Sequence, residues 1–165
     1  MVSGRKLFCL LLLAPGAAFA FDVNGVALGG READVKQAYP SAFCKPLEWK
    51  SSAAERRCDD AKISFGGVTA RVTFYLKADA IQAFDLRFDA IGRDKVMAQL
   101  KSRWGAPLSE TTETFGRHER NERKIYKVRW TRGKDQALLS VPLDRKRATL
   151  SASRGNFDEE IYRVR

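Results

Sequence analysis

Histidine is nearly missing from this chain: one residue, His118, in 165. That scarcity removes the commonest ligand of transition-metal sites and the usual proton carrier of hydrolases. His118 stands in the polar run Phe115-Gly116-Arg117-His118-Glu119-Arg120, which reads as a solvated loop. No Gly-x-Ser-x-Gly elbow and no phosphate loop occurs, and Gly29-Gly30 and Gly66-Gly67 read as turns. The adjacent carboxylates Asp59-Asp60 and Glu159-Glu160 would point to opposite faces of a strand instead of working as a pair. No catalytic residue, metal ligand or cofactor is assigned, and the chain reads as non-enzymatic. A small enzyme is the competing reading, with no residue selected for it.

Long apolar runs are missing too. The one run, Leu7–Leu13, is too short to cross a bilayer comfortably. It lies inside Met1–Ala20, which has a basic start (Arg5, Lys6), a Pro15-Gly16 break and Ala18-Phe19-Ala20 at the end. That order predicts a cleavable secretory signal over 1–20, with residues 21–165 as one mature domain in the periplasm or outside the cell. A retained N-terminal anchor is the competing reading. Cys9 lacks the small residues that lead into a lipidated cysteine, so lipoprotein processing is not expected. No second long apolar run follows, so no membrane-spanning segment is expected in 21–165.

Cysteine is sparse, at three. Cleavage would remove Cys9 and leave Cys44 and Cys58, an isolated pair that reads as a disulfide in an oxidising compartment. A metal site would need more soft ligands, and a redox pair would need closer spacing.

Charge is what the chain has in excess: 30 Lys and Arg against 20 Asp and Glu. Without Arg5 and Lys6 the balance is 28 against 20. In an exported protein this favours lipid head groups, lipopolysaccharide or acidic proteins, and nucleic acid is not an expected partner. The competing reading is charge that serves solubility alone.

The mature chain reads as one pattern written twice, about 21–90 and 91–165. Each unit opens on a glycine and a short helix: Gly29–Pro40 first, then Gly92–Pro107, where Val96, Met97, Leu100 and Trp104 form an apolar stripe. Strand patterns follow. Val68, Ala70, Val72, Phe74 and Leu76 alternate with polar neighbours, and Gln82, Phe84, Leu86 and Phe88 are expected inward against Ile81, Ala83, Asp85, Arg87 and Asp89. An earlier strand is expected over Ala61–Phe65. In the second unit Tyr126, Val128 and Trp130 alternate with Lys127 and Arg129, Ala137–Val141 follows, Pro142–Lys146 reads as a turn, and Ala148, Leu150 and Ala152 continue a last strand. Phe157 and Ile161 suggest a short closing helix, and 109–124 is left as a strand with a long charged loop. The fold class is α+β: two tandem α-β-β-β units whose antiparallel sheet carries its helices on one face.

The Gly-x-x-x-Val helix start, the ending Trp104-Gly105-Ala106-Pro107 and the meander after it resemble small envelope proteins of the SmpA/OmlA type and the two-repeat β-lactamase inhibitor proteins. Gly92–Pro107 carries most of the resemblance, and Gly30–Pro40 matches with a Tyr39-Pro40 ending. The likeness implies a two-repeat helix-plus-meander fold in an envelope binding protein. It carries no site residue over to this chain.

If the apolar positions face the core, Arg71, Tyr75, Lys77, Arg87, Lys127 and Arg129 face outward as one basic surface with an aromatic. That surface suits an acidic envelope protein, and anionic lipid or lipopolysaccharide is the alternative partner. An ordinary solvated face, balanced by Asp85 and Asp89, is the competing reading. A second candidate is the loop with Trp49, Lys50, Arg56 and Arg57, where Trp49 either binds or packs on the core. The charged segment 117–124 is a third, and such runs usually form solvated loops.

Overall fold

A computed structural model describes residues 20–116 and 122–163. The leader at 1–20, apart from Ala20, and His118 with most of the charged segment lie outside the described residues.

The first described element is a tight hairpin, β1 (Asp22–Val23) and β2 (Val26–Ala27). Its turn is Asn24-Gly25, both at positive φ, which matches the twist of the paired strands. Asp22 accepts a hydrogen bond from the Gly25 N–H and an ion pair from Arg103, so the hairpin is tied to the long helix. Helix α1 (Glu32–Ala38) buries only Val35 and ends before Pro40, as its length and proline dictate.

Four strands follow: β3 (Phe43–Pro46), β4 (Arg56–Phe65), β5 (Val68–Lys77) and β6 (Ala80–Asp89). A single 3-10 turn (Ala90–Gly92) leads into α2 (Arg93–Trp104), which buries the expected Val96, Met97, Leu100 and Trp104. Gly92 permits that junction, because a Cβ there would lie 2.8 Å from both methyls of Val68. The remaining elements are β7 (Ser109–Phe115), β8 (Arg123–Arg132), β9 (Asp135–Pro142), β10 (Arg147–Arg154) and a short helix, α3 (Phe157–Glu160).

The protein is therefore α+β, dominated by one antiparallel sheet ordered β3-β4-β5-β6-β10-β9-β8-β7. Sequence neighbours pair throughout except at the centre, where β6 meets β10. The inward residues of the strands form one buried cluster with Phe21, Val35 and Tyr39 and with the α2 stripe. Phe21, Phe84, Trp104 and Trp130 form a chain of aromatic contacts through it, with ring centroids 4.8 to 6.5 Å apart.

Several expectations change. Strand β4 starts at Arg56, not Ala61, and carries an irregularity between Asp60 and Ile63. Strand β3 lies in the segment where no strand was expected. In β6 the register shifts, with Tyr75 facing Ala83 and Leu76 facing Ile81, which leaves Gln82 as an extra residue. Ile81 is thereby buried in the main core and Gln82 is displaced from it, the reverse of simple alternation. Helix α3 does not join that core. Phe157 and Ile161 pack with Tyr75, Ala83 and Ala54, on the opposite side of the sheet, so the three helices do not share one face. Among the described residues no helix is long and apolar enough to cross a membrane.

Cys44 and Cys58 are directly paired residues of β3 and β4 and form a disulfide, with Cα atoms 4.0 Å apart. It pins a four-residue edge strand that has few other ties. Glu32 stands beside the two sulfurs, but sulfurs joined to each other offer no thiolate to a metal.

Candidate anion-binding groove

The outward face of the sheet can be followed strand by strand. Thr111, Lys127, Ser140, Thr149, Arg87 and Arg71 form one continuous row across β7, β8, β9, β10, β6 and β5. Adjacent strands lie about 4.8 Å apart, so Arg71 and Lys127 are separated by roughly 19 Å. Hydroxyl side chains fill the middle of the row, and cations stand toward its two ends.

At the Arg71 end the face is concave. A groove of about 740 Å³ is lined by Arg71, Arg87, Arg145, Lys146 and Arg147, with Thr69, Ser140 and Thr149 among its hydroxyls. Among the described residues Asp89 is the one acid in its lining, and that carboxylate accepts the Ile91 N–H at 3.0 Å. All five cations are exposed. Among the described residues none of the five forms an ion pair or a side-chain hydrogen bond, and neither Ser140 nor Thr149 has a side-chain partner. Arg71 and Arg87 face each other directly across the strands. Like charges in that position oppose folding; the acids on the same face are Asp89, directly across from Arg147, and Asp85, which feels the pull of Arg87.

The other expected surface residues divide. Lys127 donates to Glu113 at 2.6 Å and lies over the Phe115 ring, and Arg129 is 3.6 Å from the same carboxylate. The Lys127 hydrogen bond holds the Glu113 carboxyl below its usual range. These two cations are already served by β7 and stand apart from the groove. Tyr75 points to the expected side of the sheet but is buried there, with Phe157 at 5.5 Å between ring centroids. Burial pushes its hydroxyl well above the usual tyrosine value. It therefore presents no aromatic to a partner. Lys77 donates to the Ser52 carbonyl, at the end of the sheet away from the groove.

The Trp49 loop is structural in its contacts. The Trp49 indole N–H donates to the Ile161 carbonyl at 3.0 Å, and its ring stacks on Tyr162 at 5.8 Å. Arg56 pairs with Glu32 at 2.8 Å, and Arg57 lies 3.0 Å from Asp59. Lys50 is exposed. This loop and α3 together cover the outward face beside the groove. Beneath that cover Asp85 sits in a small pocket with Tyr75, Ser151 and Asp158. Burial raises the Asp85 carboxyl above the usual range, against the opposing pull of Arg87.

Sequence reasoning placed Arg71 and Arg87 outward but missed Arg145, Lys146 and Arg147, which it read only as the end of a turn and the approach to a strand. The available signal was three successive cations there. No protein-family model matches the chain, and neither a curated protein nor a solved structure does.

Proposed function

We propose that this chain is an exported, non-enzymatic binding protein of the cell envelope whose groove holds an anionic partner. The carrying observation is the opposed pair Arg71 and Arg87, neither of them in an ion pair, opening onto Arg145, Lys146 and Arg147 with a single acid in the lining among the described residues. A folded protein gains nothing by placing these cations together; a bound anion with several charges does gain, through charge-assisted hydrogen bonds to guanidinium forks and the floor hydroxyls. The leader pattern at 1–20 supports export, and a disulfide suits an oxidising compartment.

The strand order supports two tandem units, about 21–90 and 91–165. Each consists of a helix followed by a meander, β3 to β6 and β7 to β10, and the last strands of the two meanders meet. This is the kind of repeat expected from the resemblance to SmpA/OmlA-type and β-lactamase-inhibitor proteins.

The test is affinity capture of residues 21–165 from envelope extract at low and high salt, with protein and lipid analysis of the eluate. The groove reading requires an anionic species that salt releases, and that Arg71→Glu/Arg87→Glu no longer captures while its circular dichroism shows the folded sheet. Undiminished capture by that variant would refute it. Both an acidic protein and an anionic lipid satisfy the charge requirement; the groove's mouth distinguishes them.

A further inference from the structure

The groove opens at one end of the sheet, where the chain crosses between strands. Two large aliphatic side chains stand there, one almost bare and one half covered. Ile91, two residues beyond the groove acid Asp89, is 94% exposed, and Leu143, next to the lining residue Pro142, is 52% exposed. They belong to one rim. The Ala90 N–H donates to the Lys146 carbonyl at 2.7 Å, and the Leu143 N–H donates to the Lys124 carbonyl at 2.8 Å. Ile91, the basic turn, Leu143 and the start of β8 with Arg123 and Lys124 are thus stitched side by side. Asp89, Asp94, Glu122 and Asp144 are the acids here among the described residues, against Arg93, Arg123, Lys124, Arg145, Lys146 and Arg147.

We infer that this end of the protein docks on an anionic bilayer, with phosphate-bearing head groups in the groove and Ile91 and Leu143 entering the interface. The inference rests on the anion-binding reading of the groove and names its occupant. Charge complementarity requires an anion. The apolar positions decide which one. Ile91 and Leu143 are single apolar residues on two different connections, whose backbones are tied to Lys146 and Lys124. A protein partner would need a matching pocket for each tip to gain from them. The boundary between head groups and acyl chains accepts isolated tips without such pockets, and basic side chains around them meet the phosphates.

The experiment is vesicle co-sedimentation of residues 21–165. One set of vesicles contains phosphatidylglycerol in phosphatidylcholine, and the other is phosphatidylcholine alone. Binding is expected to the anionic vesicles only, and to fall as salt rises. Ile91→Asp/Leu143→Asp should weaken it about tenfold or more, because two apolar anchors are lost and two like charges meet the surface. Both positions are exposed, so the melting temperature of that variant should match the parent. Arg71→Glu/Arg87→Glu should also weaken vesicle binding. If anionic vesicles bind the Ile91/Leu143 variant as tightly as the parent, membrane docking by this rim is overturned. No vesicle binding, with capture of an acidic protein that the arginine variant loses, overturns the lipid inference and leaves the groove reading standing. Vesicle binding unaffected by the arginine variant overturns the groove reading itself.

Discussion

Arg71 and Arg87 are direct cross-strand partners on β5 and β6, and among the described residues neither forms an ion pair. Their side chains project into one groove with three further cations. The pair should cost stability that a ligand recovers. Replacing the member with no acid beside it, Arg71→Thr, is expected to raise stability by roughly 0.2 to 1 kcal/mol while weakening anion binding. Thermal melts at low and high salt check this. The gain should shrink as salt screens the repulsion, and an unchanged or lower melting temperature at low salt would count against it.

Asp85 offers a pH test. Its carboxyl is raised by burial, so the folded protein resists ionising it more than the unfolded chain does. The stability linked to this group is complete below the ordinary aspartate value of 3.8 and declines as pH rises through the raised value. Asp85→Asn should therefore be more stable than the parent at neutral pH, and that advantage should close in acid below the ordinary value. Denaturant midpoints at several pH values measure the difference directly.

Gly92→Ala should destabilise the protein by about 1 to 3 kcal/mol, because the added methyl meets both Val68 methyls and the helix start must shift. Pairing it with Val68→Ala should return part of that loss. A double-mutant cycle in urea would show the coupling, and simple additivity would assign the loss to helix propensity instead.

Removing the disulfide with Cys44→Ser/Cys58→Ser should cost about 3 kcal/mol on the chain-entropy account of a 15-residue loop. The damage should be local at first, since β3 has only β4 beside it. Hydrogen exchange is expected to quicken at 43–46 before it does so in β5 or β6.

Phe157→Ala should loosen the small cluster on the outward face, at a cost of about 3 kcal/mol. Trp49 is held there through Ile161 and Tyr162, whereas Trp104 and Trp130 lie in the main core. A red shift confined to part of the tryptophan emission, with the near-native sheet retained, is the expected signature.

Local pattern made several of these elements legible. The stripe Val96, Leu100 and Trp104 specified α2, and the alternation Val68 to Leu76 specified the inward face of β5. The cysteine count pointed to the disulfide. What escaped depended on pairings between distant segments. The shift at Gln82 was hidden because Ile81, Ala83 and Phe84 are all apolar, so the sequence does not mark where the phase changes. Strand β3 was hidden in a loop because its pairing is set by Cys58, fourteen residues on. Tyr75 was read as outward, and its side was right; its burial comes from a helix eighty residues later. Arg145, Lys146 and Arg147 join Arg71 and Arg87 only through the meeting of β6 and β10, which no local signal announces. Lys127 and Arg129 lost their place as free cations because Glu113 lies on β7, in a segment whose strand was left open.

The seam between β6 and β10 has a further consequence. The groove takes Arg71 and Arg87 from one side of that seam and Ser140, Arg145 and Thr149 from the other. Neither stretch of chain contains the whole groove. A ligand seated across the join acts as a clasp, and its binding energy adds to the cohesion of two segments remote in sequence. On the proposed anion-binding reading, occupancy would be recorded in the resistance of the central seam to opening.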